Sequence, residues 1–239
     1  MSTRVSFGRQ VAVELRKLVD TRGSRWTLGT GAVVLLGTLA SAIAADGSST
    51  VPDVLAAAGL MVALVMGTIG VLAVTGESRF HTAVIYLPVS SGRSQLYFAS
   101  YVAGMIAAFA LQAFTLALVL LVAAVTPGLG FGDPGRLAWA VGLSSAMVGL
   151  STSFAMGVAV LLRSFLAAMG VIVAMTLVWN GLLLATAPGL SGYLGTITAL
   201  GWLETGERPS LMEGLCSLLL WYVAPCLLGW RLALRSDVG

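Results

Sequence analysis

Charge is scarce in this sequence: 10% of its residues are Asp, Glu, Lys or Arg, against 58% hydrophobic, and the mean hydropathy is +0.96. That balance lies far outside the soluble globular range and marks an integral membrane protein. Histidine is scarcer still, with His81 the single example. One imidazole excludes an HExxH metal site, and no GxSxG elbow is present to carry a serine nucleophile. A GxxxxGK[ST] phosphate loop is missing as well, so this chain is not expected to hydrolyse ATP by itself. The expectation is a non-enzymatic chain with no catalytic residue, no metal and no cofactor of its own. Cysteine is limited to Cys216 and Cys226. In one helix they would lie about 15 Å apart along the axis, beyond disulfide reach, and they offer no metal-ligand spacing.

What is abundant is long apolar runs. A bilayer core of about 30 Å takes roughly 20 apolar residues as helix. Six such runs occur, at 26–45, 54–75, 97–126, 137–162, 164–187 and 214–230. The expected fold is therefore an all-α membrane protein with six transmembrane helices. Turn-forming stretches separate most of them: DGSSTVPD at 46–53, TPGLGFGDPG at 126–135 and a long segment from 188 to 213. Only Arg163 divides the fourth run from the fifth, which predicts a tight hairpin there, because fifty residues are too many for one crossing.

The basic residues orient the chain. With the N-terminus in the cytoplasm, Arg4, Arg9, Arg16, Lys17, Arg22, Arg25, Arg79, Arg93, Arg163, Arg231 and Arg235 fall inside, and Arg136 and Arg208 outside. Eleven against two satisfies the positive-inside rule, which predicts both termini in the cytoplasm. The net charge of +3 is thus a topology signal rather than a nucleic-acid footprint. Ala42-Ile43-Ala44 resembles a signal-peptide cleavage site. The apolar run before it is too long for a usual h-region, so it is read as the first span.

Residues 1–25 are expected to form an amphipathic helix at the cytoplasmic interface, with a solubilising leader as the alternative. Between 4 and 20 the sequence RVSFGRQVAVELRKLVD places Phe7, Val11, Leu15 and Leu18 on one helical stripe, with Arg9, Arg16, Lys17 and Asp20 roughly opposite. Such a helix is expected to lie in the membrane surface, basic face toward anionic headgroups. Glu14 falls at the edge of the stripe. Trp26 would anchor the start of the first span at the interface.

Within the spans, polar groups are few. Ser145, Gly149, Ser153 and Gly157 recur every four residues and present one small-residue face that permits close helix approach, either within one subunit or at a dimer seam. Gln112 and Asn180 are amides that must face protein or a cavity, as interhelical glue or on a substrate path. No span has a central charge, which argues against proton- or ion-coupled transport.

The stretch GESRFHTAVIYLPVSSGRSQL, residues 76–96, connects the second and third spans on the cytoplasmic side. Its apolar middle, Val84, Ile85, Tyr86 and Leu87, is not what solvent requires, and Pro88 should end a short element there. The physical alternatives are a loop lying on lipid or a knob seated in a cytoplasmic partner. Glu14-Leu15-Arg16-Lys17, then Thr21-Arg22 leading into Trp26, then Glu77-x-Arg79-x-x-Thr82 followed by Leu87-Pro88-Val89-Ser90 and Arg93, resembles the ABC type-2 permease family. That family supplies the membrane subunits of prokaryotic ABC exporters, and the resemblance covers nearly the whole chain. Where the family usually has Gly-Thr, this sequence has His81-Thr82.

The resemblance implies that Glu77, Arg79, Thr82, Val84, Ile85, Tyr86, Leu87, Pro88 and Arg93 form a coupling helix docked on a separate ATP-binding subunit, which would carry ATP and magnesium. It also implies two permease protomers, identical or different, around a pathway, and a re-entrant outer segment within 188–213. The cargo would be an apolar or amphipathic compound such as a drug, antibiotic, peptide or lipid-like molecule. Export of haem or another cofactor, and a non-transporting scaffold or sensor, are the alternatives.

Overall fold

The structure, a computed structural model, describes residues 6–20, 22–45, 50–80, 93–126, 129–187, 216 and 219–235. These residues are almost entirely helical. The elements are α1 (Phe7–Asp20), α2 (Arg22–Ala45), α3 (Val51–Phe80), α4 (Arg93–Val125) and α5 (Pro134–Leu162). There follow α6 (Phe165–Val173), a π-helical segment (Ala174–Trp179), α7 (Asn180–Thr186), a second π-helical segment (Leu219–Val223) and α8 (Ala224–Arg235). Among the described residues there is no β-strand, only an isolated bridge between Thr50 and Gly130. Among the described residues three helices are long and apolar enough to cross a membrane: Gln95–Val125, Pro134–Leu162 and Phe165–Leu183. The expected outer segment at 188–213 lies outside the described residues.

Helix α5 is the hub. In its most apolar stretch 56% of residues are buried, against 22% in α4 and 18% in the α6 rod, so the other helices surround it. It packs on α3, α4, α6 and α8. One core cluster joins Val54, Val62, Met66 and Ile69 of α3 to Ala108 and Val119 of α4 and to Ala140 and Val148 of α5. A second joins Phe154, Ala155 and Val158 of α5 to Val71 of α3, Ala168 and Ile172 of α6, and Tyr222.

Local chemistry fixes both ends of α5. Asp133 caps its first turn by accepting from the Arg136 backbone N–H at 3.0 Å, Pro134 fits the first helical position, and Gly132 supplies the positive φ just before. At the other end Arg163 takes the left-handed conformation, φ 49°, and its N–H returns to the Ala159 carbonyl at 2.9 Å. The next residue, Ser164, caps α6. The hairpin expected at Arg163 is therefore two residues long.

Two features differ from the sequence reading. Helix α3 continues past Gly76 to Phe80, so Glu77 and Arg79 have helical backbone in its last turn and are not part of a separate loop element. Nothing in Glu77-Ser78-Arg79 breaks a helix, and a basic residue suits a helix C-terminus. Likewise, Arg93 opens α4, four residues before the expected start of that span. The second feature is α1, whose stripe is turned onto protein. Val11 and Leu15 pack against Ala99, Val102 and Ala103 of α4, and Leu18 joins Ala73 of α3 and Met156 of α5. Phe7, expected in the same stripe, is 42% exposed. Glu14 is buried and takes a 2.6 Å ion pair from Lys17 one turn on, which explains how an acid is accommodated at the stripe.

Glycine sets the separation of α5 and α8. A Cβ on Gly157 would stand 2.5 Å from the Pro225 carbonyl oxygen, and Gly229 faces Gly157 from the other side. Gly142 of the same helix has nothing within 4 Å. Gly157→Ala should therefore destabilise the protein by about 1–3 kcal/mol, the usual range for overpacking. Gly142→Ala should leave stability unchanged or slightly raised, with thermal unfolding in detergent as the measurement.

Candidate functional site

Within the bundle interior, two side-chain hydrogen bonds form a seam between α4 and α5. Near the start of α4 the Tyr101 hydroxyl lies 2.6 Å from Ser153 Oγ. Ser153 gives its own proton to the Gly149 carbonyl at 2.7 Å, so Tyr101 acts as donor in the pair. The Cys226 thiol of α8 is a neighbour of the same tyrosine. Eleven residues further along α4, about 16 Å up the helix, Gln112 Nε2 donates to Ser144 Oγ at 2.7 Å.

Helical geometry explains the pairing. The helices run in opposite directions, so moving forward from Tyr101 to Gln112 in α4 means moving back from Ser153 to Ser144 in α5. The seam leaves acceptors and donors over. Gln112 is 2% exposed, yet its Oε1 has no hydrogen-bond partner among the described residues, and the same holds for Tyr97 Oη and Trp230 Nε1. A buried carbonyl left in this way costs about 1–3 kcal/mol and favours any donor that reaches it.

Of the residues singled out by sequence, Ser153 and Gln112 thus sit in the seam. Gly149 flanks it, facing Phe109 and Met105 of α4, while Gly157 faces α8. Ser145 turns its hydroxyl to the Val141 carbonyl of its own helix at 2.8 Å, and no cross-helix bond is recorded for it. Asn180 has its backbone at the first position of α7, directly after the π-helical segment, and its side chain lies outside the described residues. The same is true of the side chains of Glu77, Arg79 and Arg93. Thr82, Val84, Ile85, Tyr86, Leu87 and Pro88 belong to residues 81–92, which are not described. The chain matches no protein-family model and no curated protein.

Sequence reasoning missed Tyr101, Ser144 and Cys226. A hydroxyl or thiol in an apolar run carries no partner information, and only the register between helices supplies it. It also missed a clamp at the opposite end of the bundle. Asp53, at the third position of α3, accepts from the Thr50 backbone N–H at 3.0 Å and from the Thr50 hydroxyl, while its own N–H donates to the Thr50 carbonyl at 2.9 Å. Its other oxygen takes Arg136 Nη2 at 2.9 Å, and Val51 N–H donates to Gly130 O at 3.0 Å, so the starts of α3 and α5 are tied together. The signal available was that both charges fall at a span start on the same predicted side.

Among the described residues no group of three or more His, Cys, Asp or Glu could hold a metal ion. The seam is chemically a neutral hydrogen-bonding ladder. It can hold helices in register or meet a neutral polar group.

Two outcomes follow from these contacts. The Thr50 hydroxyl is the largest influence on the Asp53 carboxyl; with the Thr50 N–H and the Arg136 charge it outweighs burial, the second-largest effect, and holds the group below its ordinary value of 3.8. Its contribution to stability is therefore complete above that value and is lost as pH falls through the lower folded value. Asp53→Asn should flatten this acid limb by lowering stability at neutral pH toward the level the protein has once Asp53 is protonated, as read by unfolding temperature against pH. In the seam, Ser153→Ala and Tyr101→Phe should each destabilise by about 1–2 kcal/mol. The double variant should cost less than the sum, with a coupling of about 0.5 kcal/mol or more in a double-mutant cycle.

Proposed function

We propose that this chain is the transmembrane permease subunit of an ABC exporter. It moves an apolar or amphipathic compound out of the cytoplasm or the inner leaflet, with ATP and magnesium bound by a separate ATPase subunit. In this reading six helical rods cross the bacterial inner membrane: α2, α3, α4, α5, the α6–π–α7 rod, and the rod ending in α8. Both termini lie in the cytoplasm, and two protomers, identical or different, flank the pathway.

The observation that carries the reading is where α1 sits. It packs on the first turns of α4 through Val11 and on α3 through Leu18 and Ala73. The connection between α3 and α4 therefore leaves and re-enters the bundle beside a surface helix, where a cytoplasmic partner could bear on both. The neutral seam adds support. Among the described residues the one buried charge is Glu14 of α1, paired with Lys17, so the spans offer no evident means of coupling to an ion gradient, whereas force delivered by an ATPase at the α3–α4 connection needs none. Such force works only through contacts that differ between two states. The apolar residues Val84 to Leu87 are the transmitting surface in this proposal.

The test is reconstitution of the chain with an ATP-binding protein, where one is encoded beside its gene, followed by measurement of complex formation and ATP turnover in lipid. Replacing Glu77 and Arg79 together by alanine should weaken assembly and uncouple ATP turnover from vesicle transport of amphiphiles. Intact assembly and coupling in that variant would remove the docking assignment. Amphiphile movement that never depends on ATP, with any partner, would favour a scaffold or sensor.

A further inference from the structure

Two rods of this bundle contain a π-helical segment: Ala174–Trp179 between α6 and α7, and Leu219–Val223 at the start of the α8 rod. A π turn carries one residue more than an α turn and is held open only where something supports it. In the first segment Thr176 turns its hydroxyl onto the Ile172 carbonyl at 2.7 Å, and a threonine bonded in this way bends the helix it belongs to. In the second, Pro225 follows within two residues and offers no N–H to the turn before it. Each segment thus carries a local feature that accommodates a wider turn, although Thr68 and Thr115 make the same bond within regular α-helix.

Their placement is not independent. The Trp179 and Trp221 rings, one from each segment, meet edge to face with centroids 6.2 Å apart and planes at 65°. Phe154 of α5 completes the group, 6.4 Å from Trp221 and 6.2 Å from Tyr222, both edge to face. Phe154 and Tyr222 are buried, so the rings are held against the hub helix. Return of either segment to α geometry would take one residue out of its turn. Everything beyond would rotate by about 100° and shift by about 1.5 Å. A rotation of that size in one rod carries its tryptophan out of the ring contact and leaves the other ring facing a void.

We infer that the two π-helical segments are one conformational switch, gaining or losing their extra residues together through the Trp179–Trp221 contact over Phe154. The inference goes beyond the export reading and does not depend on it, since the coupling would exist in the isolated chain. It gives the bundle two discrete arrangements of the rod from Phe165 to Thr186 and the rod ending in α8, and interlocked rings make intermediate positions unfavourable.

The full chain labelled with 5-fluorotryptophan in lipid nanodiscs supplies the test, because its six tryptophans give separate fluorine signals that single Trp→Phe variants assign. Fluorine exchange measurements at Trp179 and Trp221 should show the same interconversion rate and the same minor-state population. Thr176→Val removes the hydroxyl that supports the first segment at nearly constant volume. It should change the ratio of the two states by about 2- to 12-fold, the range set by one hydrogen bond, at Trp221 as well as at Trp179. Pro225→Ala, which restores an N–H in the other rod, must shift Trp179 by the same factor as Trp221, because coupling is reciprocal. A change confined to the ring of the altered rod, or the absence of a second state at either ring, overturns the proposal.

Discussion

The bundle depends on how closely α5 lets its neighbours approach. In a lipid environment no hydrophobic force draws one helix to another, so association rests on van der Waals fit and hydrogen bonds. Helix α5 meets that requirement with small residues in every direction. Gly157 brings the α8 backbone onto its own, Ser153 reaches α4, and the Thr152 carbonyl is so near Gly70 of α3 that a Cβ there would stand 2.6 Å away. Larger side chains on α5 would move three helices outward at once and pull the polar seam apart.

Seen from that constraint, the seam and the clamp divide the work. The clamp of Thr50, Asp53 and Arg136 fixes where α3 and α5 begin relative to each other, through partly exposed groups that salt screens and whose individual worth is small. The seam works where water is excluded, so each of its hydrogen bonds matters more and each unmatched atom is a larger penalty. The carbonyl oxygen of Gln112 is the sharpest case, because the amide donates to Ser144 and nothing on the described surface donates back. In the proposed export function, a neutral polar ladder with a spare acceptor suits an amphipathic cargo better than an ionic one.

Much of this architecture was legible in the sequence. The lengths of α4 and α5 follow from their uncharged runs, and the break at Arg163 followed from the impossibility of a fifty-residue crossing. The amphipathic face of α1 was also readable, but not what it faces. A stripe of Val11, Leu15 and Leu18 fits lipid and protein equally well, and only the nearness of Ala99 and Ala103 decides between them. Ser153 and Gln112 drew notice as polar residues in apolar runs, while Tyr101 and Ser144 did not, since their value comes from antiparallel register. The two π-helical segments were hidden for a related reason. Proline and threonine each tolerate several helix geometries, and the ring contact that links the segments joins residues far apart in the chain.

The two-residue turn at Arg163 and Ser164 bears on how the protein is made as well as how it stands. With a left-handed residue and a helix cap as the whole connection, there is no slack for α5 to settle in a bilayer while α6 waits in water. The pair is suited to leave the insertion machinery as a single helical hairpin. The most buried helix of the bundle then arrives with its first neighbour already beside it, and the ribosome delivers the hub and its partner as one unit.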